Sequence, residues 1–366
     1  MSKTIKKLFL ISSSFLLSSA FVSSCAKAND ANNQGTLQLK VDLKIDHDAN
    51  AIINDYLKNL SQTVSQKLNK PVSITSNFTE DGNTSIDRVK SNLTDLAFVS
   101  SSAIKTNDTD YITKIQTLTR SFKFDNTPDF YEAGTLDQKA RKISELFNEI
   151  PYRNWTDENR MWDGNKYQFF YGPEDDLISF YRGMILIGGD QDTLAKIKEA
   201  WAQKNWATFS SYGIGGGRTS SNGRYIYPLN LLKKHFNDPN LTISDYQSVR
   251  GREIGTNPKV HIVFDDMNSF AWTQNKNKNV PNYTFNPNDN NTKVEILSLT
   301  DPALYDIGVF NKRLTNDVIN AVSESIVELA KNNQDTYGPT VGYNGYRVIK
   351  DVNKEVYQFI NKANIN

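Results

Sequence analysis

Cysteine is almost missing from this chain of 366 residues and histidine is scarce, at one Cys and three His. A single cysteine cannot close a disulfide within one chain, and the two scarcities together argue against a zinc site built from Cys and His ligands. An excess of one charge is also lacking, with 42 Lys and Arg against 41 Asp and Glu. Affinity for nucleic acid comes mainly from neutralising phosphates with Lys and Arg, so a near-neutral chain lacks the broad basic surface such binding needs. No GxSxG elbow occurs and no Ser/His/Asp order stands out, which leaves a serine hydrolase without its machinery. No period of 20–50 residues repeats, so a solenoid is not supported. What is present is a globular composition, 38% hydrophobic and 23% charged, long enough to divide into two domains. Its chemistry must come from hydroxyls, carboxylates, backbone amides and aromatic rings.

Residues 1–24 combine a basic start (Lys3, Lys6, Lys7) with an apolar, Ser-rich stretch from Leu8 to Val22, followed by Val22-Ser23-Ser24-Cys25. This is the layout of a signal peptide, too short and too rich in serine for a comfortable membrane span. The lone cysteine stands where a lipoprotein signal peptidase requires it, so Cys25 is expected to become the lipidated N-terminus. Cleavage there removes three lysines and no acid, leaving 39 basic against 41 acidic side chains. Ala26 to Gly35 (AKANDANNQG) has linker composition, and residues 25–36 read as a flexible tether holding the folded body to the extracellular face of the cell membrane.

Thr36 to Ile45 alternates apolar and polar residues and reads as a strand. A helix over about 49–69 follows, with Ile53, Tyr56, Leu57, Leu60, Val64 and Leu68 at three- and four-residue spacing. Strands over Pro71–Phe78 and Asp95–Ser100 flank a short helix, Ser85–Leu93. This order implies right-handed crossovers and a parallel sheet. From Ser101 to Asp176 the pattern is less regular, with a helical core near 137–148, and the part at about 125–176 reads as an insertion. A second α/β series then runs through a strand at Ser179–Gly188, a helix at Asp192–Lys204, a strand at Ala207–Tyr212, a helix at Ser221–Phe236 and a strand at Val260–Phe264. Gln274 to Lys293 is rich in Asn, Lys and Pro and reads as a surface loop. A strand at Val294–Leu299 and helices at Thr315–Lys331 and about 351–362 close the chain.

Two places share one physical logic, an apolar strand running into small hydroxyl residues that open a helix. The first carries Ser100, Ser101 and Ser102, and the second Thr219, Ser220, Ser221, Asn222 and Gly223. In open α/β sheets ligands bind beyond the carboxyl ends of strands, where helix N-termini offer unpaired N–H groups to an anion. Ser and Thr are also ordinary helix caps, so either patch alone serves either role. The GIGGG run at 213–217 lacks the spacing of GxGxxG and the Lys of a P-loop, and reads as a strand bend. Asp265 and Asp266 end an apolar strand and could hold a cation or act as an acid or base. His47 reads as a turn residue beside two aspartates. Phe98, Tyr212, Tyr225 and Trp272 lie beside the hydroxyl clusters and suit stacking on a flat or cationic ring.

The Cys25 lipobox, the segments DLAFVSSSAI, YRGMILIGGD and RTSSNGRYIYPLNLL, and the end DIGVFNKRLTNDVINAVSESIVELA resemble the phosphate/phosphonate-type substrate-binding proteins of ABC importers. Within them the chain is most similar to the mycoplasma lipoproteins that bind thiamine pyrophosphate outside the cell. The resemblance implies an α/β, two-domain periplasmic binding-protein fold (class II-like) with a hinge and a central ligand cleft. Lobe 1 would span 37–178 plus 294–366, including the irregular insertion, and lobe 2 would span 179–293. It further implies that Ser100, Ser101, Ser102, Thr219, Ser220, Ser221 and Gly223 contact phosphate. Asn222 interrupts the usual S-T-S-G pattern there, and Asp265 matches an acid that faces the cationic end of the ligand.

The reading that follows is a non-enzymatic binding lipoprotein, monomeric and without a cofactor. It captures thiamine pyrophosphate or a related phosphorylated compound for an ABC permease and its ATPase, with no nucleic-acid partner. Two other classes stay open on the sequence: a surface phosphohydrolase or nuclease using the carboxylates at 46–48 and 265–266, and an adhesin contacting host protein through the 274–293 loop and the aromatic insertion.

Overall fold

The computed structural model describes residues 35–44, 50–79, 81–149, 171–173, 175–267 and 291–363. The leader, Cys25, His47, Trp272 and the loop at 274–290 lie outside the described residues.

The first elements are β1 (Leu37–Leu43), α1 (Asn50–Leu68), β2 (Val72–Phe78), α2 (Gly82–Lys90), β3 (Leu96–Val99), β4 (Tyr111–Arg120) and α3 (Leu136–Glu149). Next come β5 (Leu177–Ile178), β6 (Phe180–Tyr181), β7 (Gly183–Gly189), α4 (Gln191–Ala202), α5 (Trp206–Ser210), β8 (Ile214–Gly216), α6 (Tyr227–His235), β9 (Gln247–Ser248) and β10 (Ile262–Asp266). The chain ends with β11 (Lys293–Leu299), β12 (Ala303–Leu304), β13 (Ile307–Asn311), α7 (Asn316–Lys331), β14 (Gly345–Val348) and α8 (Gln358–Ala363).

They build two sheets. The first is ordered β14-β4-β13-β3-β1-β2, with β5 on β4, and the second β11-β7-β10-β8-β9. Strand β1 pairs in parallel with both β2 and β3, as the opening strand–helix order requires. Each sheet is covered on both faces, and the alternation of side chains shows it. Leu96 and Phe98 enter a core with α1 and α7, while Ala97 and Val99 enter another with α2 and α8. In the second sheet Met184 and Leu186 face α3, and Ile185 and Ile187 face α4, α5 and α6. Strands buried on two faces must be apolar almost throughout, which is why LAFV and GMILIGG read as they do.

A two-stranded ribbon joins the sheets, with β6 antiparallel to β12 in the register Ala303↔Tyr181 and Leu304↔Phe180. One strand leads into β7 of the second sheet and the other into β13 of the first. A buried ion pair binds this junction. Arg182, fully buried, directs Nε at the two Asp125 oxygens (2.9 and 2.8 Å), Nη1 at the carbonyls of Asp129 and Thr300 (both 2.8 Å), and Nη2 at that of Thr127 (3.0 Å). Lys139 adds a second cation 3.0 Å from Asp125.

Three expectations change. Ala207–Tyr212 is not a strand, because Asn205 caps helix α5 through the Thr208 N–H (3.1 Å) and Phe209 buries against Trp201 and Phe236. The strand begins only after Gly213, whose φ of 72° and whose Cβ position 1.7 Å from the Lys259 carbonyl both demand glycine. Strand β4 lies in the stretch read as irregular, its alternation blurred by the buried polar residues Gln116, Thr117 and Thr119. Finally, the return to the first sheet comes after Leu299 rather than before Val294. Strand β11 pairs with β7 and carries α3 on its outer face, so residues of the expected lobe 1 complete the second sheet.

Candidate functional site

Topology brings the two hydroxyl patches together. The ribbon enters the first sheet beside the carboxyl end of β3, since Ile307 of β13 pairs with Val99. It enters the second beside the carboxyl end of β10, where Gly183 of β7 pairs with Asp266. The carboxyl ends of the parallel strands in both sheets therefore open toward the same junction, the usual place for a ligand in an open α/β sheet.

From the first sheet, Ser100 follows β3 and Ser101–Ala103 form a single 3-10 turn rather than a longer helix. From the second, Asn222–Ile226 form a π-helical turn that runs on into α6. Neither Ser100 nor Ser221 caps its turn with its side chain. The Ser100 hydroxyl instead meets that of Ser102 at 3.0 Å. The leading N–H groups of both turns have no intrasegment acceptor, as at any helical start. Asn222 then crosses between the sheets, its Nδ2 donating to Ser101 Oγ at 3.4 Å, and both residues are buried. Tyr227 joins Ser101 from α6, and burial raises its phenol while the Ser101 hydrogen bond opposes that rise.

Glycine is required at 223. A Cβ there would lie 1.8 Å from Asp266 Oδ1, 2.9 Å from its Cγ and 3.2 Å from the Tyr181 ring. Thr219 and Ser220 are exposed on the approach to this turn and Ser221 is partly buried.

The aspartates behave differently from expectation. Asp265 directs Oδ2 at the Gly251 N–H (2.8 Å) and Oδ1 at the Asp266 N–H (2.9 Å), with Arg224 Nε 2.9 Å from Oδ1. Its carboxylate is occupied inside the second sheet's domain, so it is poorly placed to face a cationic ligand. Asp266 shares the same guanidinium at 3.0 Å. Burial, with Asp265 beside it, pushes its carboxyl up to about 6 against the pull of Arg224. Arg224 is raised in turn, mainly by Asp265.

Tyr212 is not brought to the site. It precedes β8, at the opposite end of that strand from the Thr219–Gly223 turn, and its ring meets His261 edge-on at 6.3 Å. The displaced strand boundary explains the error. Tyr225 packs edge-on against Tyr246 at 4.9 Å, and Phe98 packs near Tyr343 and Tyr346 in the core, so both are structural.

Sequence reasoning missed Tyr181, Asp306, Lys44 and Tyr343. Tyr181, on β6, packs tilted against Tyr305 with centroids 5.0 Å apart. Burial raises its phenol, and the nearby charges of Asp266 and Asp306 add to that. Lys44, just past β1, and the Tyr343 hydroxyl both contact Asp306 Oδ2. A Tyr-Asp pair at a junction between sheets has no local sequence pattern, and only the strand order reveals it.

The family model described as extracytoplasmic thiamine-binding lipoprotein matches residues 54–365. The high affinity transport system protein p37 of Mycoplasma pneumoniae is 44% identical over 342 residues, covering 88% of this chain and 90% of the relative. Its namesake from Mesomycoplasma hyorhinis is 41% identical over 262 residues, 68% of this chain and 64% of the relative. The solved structure of Mycoplasma hyorhinis Mh-p37, described as a candidate thiamine pyrophosphate transporter, superposes with a TM-score of 0.79 at 32% identity, over 90% of this chain and 98% of that one. The expected two-domain, binding-protein type of α/β fold is the one observed.

Proposed function

Because the chain belongs to the family of extracytoplasmic thiamine-binding lipoproteins, we propose that it captures thiamine pyrophosphate, or a closely related phosphorylated compound, between its two sheets and hands it to an ABC permease and ATPase. It works as a binding protein rather than an enzyme, anchored through a lipid on Cys25 at the outer face of the cell membrane.

The observation that carries this reading is the meeting of Ser101 and Asn222 at 3.4 Å across the junction. Two turns from different sheets bring leading N–H groups and Ser and Thr hydroxyls to one junction. Such an array suits an oxyanion, because N–H and O–H donors toward a charged acceptor form the stronger class of hydrogen bond. Ser100, Ser101, Ser102, Thr219, Ser220, Ser221, Asn222 and Gly223 form that donor set. Closure of the two domains on the ligand would give the permease a distinct shape to read.

The test is calorimetry on the full chain in detergent, titrated with thiamine pyrophosphate, inorganic pyrophosphate and methylphosphonate. Thiamine pyrophosphate is expected to bind at micromolar concentration or tighter, and pyrophosphate more weakly. Absence of heat and of any thermal shift with all three overturns the proposal.

A further inference from the structure

The C-terminal helix touches both domains. Val356 and Ile360 bury α8 in the core of the first sheet beside Ala97, Val99, Ile307 and Val309. Its last turn reaches the second. Asn230 Nδ2 of α6 donates to the Ala363 carbonyl at 3.4 Å, and Ala363 packs with Tyr227, the first residue of α6, and with Ala303 of the ribbon. The same turn grips the segment that crosses between the sheets after β4. Phe359 packs tilted on Phe130 with centroids 5.7 Å apart, and the exposed Lys362 sets its Nζ 4.0 Å from the centre of the Phe130 ring. That crossing is fastened to α6 in turn. The Tyr131 hydroxyl meets His235 Nδ1 at 3.0 Å, and Lys234 Nζ lies 3.1 Å from Glu132 Oε1 and 2.5 Å from Asp301 Oδ2, while Asp301 Oδ1 accepts the Tyr131 N–H at 2.7 Å.

We infer that the last turn of α8 is a strap that positions the donor turn at Asn222–Ile226: rooted in the first domain, it holds α6 and the 130–132 crossing so that the two domains favour the arrangement in which Asn222 reaches Ser101. The use of that turn as an oxyanion clamp rests on the proposed function, whereas the strap is carried by the contacts of α8 alone. Its two ends differ in kind. The roots are apolar and buried, but the grip on the other side is one hydrogen bond at the long end of the range and one surface cation over a ring. Contacts of that size shift an equilibrium between domain arrangements while leaving each domain folded. Lys362 acts through Phe130 and α6 rather than on a ligand, so it is a positioning residue.

The experiment measures the distance between the domains on the full chain in detergent, without ligand. Spin labels are placed through Asp55→Cys on α1 and Lys196→Cys on α4, both exposed positions, with Cys25→Ser removing the native thiol. Lys362→Ala is expected to raise the ratio of longer to shorter separations by about two- to fivefold, the effect of one exposed cation–ring contact. Phe130→Leu, which stays apolar but loses the ring, should match it, and Lys362→Arg, which keeps a cation over the ring, should restore the unaltered distribution. The inference is overturned if Lys362→Ala leaves the distances unchanged, or if Lys362→Arg shifts them as far as Lys362→Ala does. Pyrophosphate is then added to each protein, and it should return Lys362→Ala to the unaltered distances, because a ligand held by both turns replaces the strap. If pyrophosphate moves no distribution while Lys362→Ala still shifts the ligand-free one, the clamp fails and the strap stands.

Discussion

Gly223→Ala tests the clamp with the smallest possible change. The added methyl would sit 1.8 Å from Asp266 Oδ1 and 2.9 Å from its Cγ. Rotating the carboxylate cannot relieve both contacts, and Arg224 holds the other oxygen at 3.0 Å. The start of the π-helical turn must therefore shift by roughly an ångström to restore ordinary contact, an overpacking that costs about 1–3 kcal/mol. The shift moves the N–H groups of Asn222 and Gly223 off a bound oxyanion. A hydrogen bond to a charged acceptor contributes about 1.5–3 kcal/mol, so losing one weakens binding by roughly 10- to 100-fold. Pyrophosphate calorimetry reads the affinity, and thermal melting of the same samples reads the packing cost. Pyrophosphate affinity within twofold of the unaltered chain, alongside a lowered Tm, would show that the turn is packing and not a binding element.

Arg182→Met leaves Asp125 with Lys139 alone and strips donors from three carbonyls; breaking a buried pair this way costs about 3–5 kcal/mol, and a melting curve within a degree of the unaltered protein contradicts it. Asp266 sets a pH dependence. Its carboxyl, raised to about 6 by burial and Asp265, holds its proton more tightly folded than unfolded between about pH 4 and 6. Stability from this group is therefore lost as pH rises through that range. Asp266→Asn should abolish that component, roughly 1–3 kcal/mol, measured as the difference in urea midpoint between pH 4 and 7; equal slopes for the two proteins refute it. Ser101→Ala combined with Asn222→Ala should show a non-additive loss of stability, because the two side chains share one bond across the sheets.

What the sequence made legible follows from burial on two faces. Strands such as LAFV and GMILIGG are apolar throughout because helices cover both sides, and α1 and α7 show the matching helical spacing. The hydroxyl turns were equally legible, since their composition breaks sharply from the strands before them. What escaped was decided by partners far away in the chain. Arg182 meets Asp125 across 57 residues, and the return strand β11 joins the second sheet through pairing with β7. Strand β4 hid because both of its faces are buried and carry polar residues, Gln116 and Thr117, which bond the Ser179 and Asp306 carbonyls rather than packing as hydrocarbon. Asp306 escaped for the same reason: its partners, Lys44 and Tyr343, lie far away in the chain.

The insertion of β13 between β3 and β4 bears on biogenesis. Until residues 307–311 arrive, the seven-stranded sheet is two separate pieces, β2-β1-β3 on one side and β4 with β5 on the other. A polypeptide emerging N-terminus first cannot close that sheet while its tail is still being made. Non-local pairing of this kind is slow to form, so closure of this sheet is a late step in the folding of the chain.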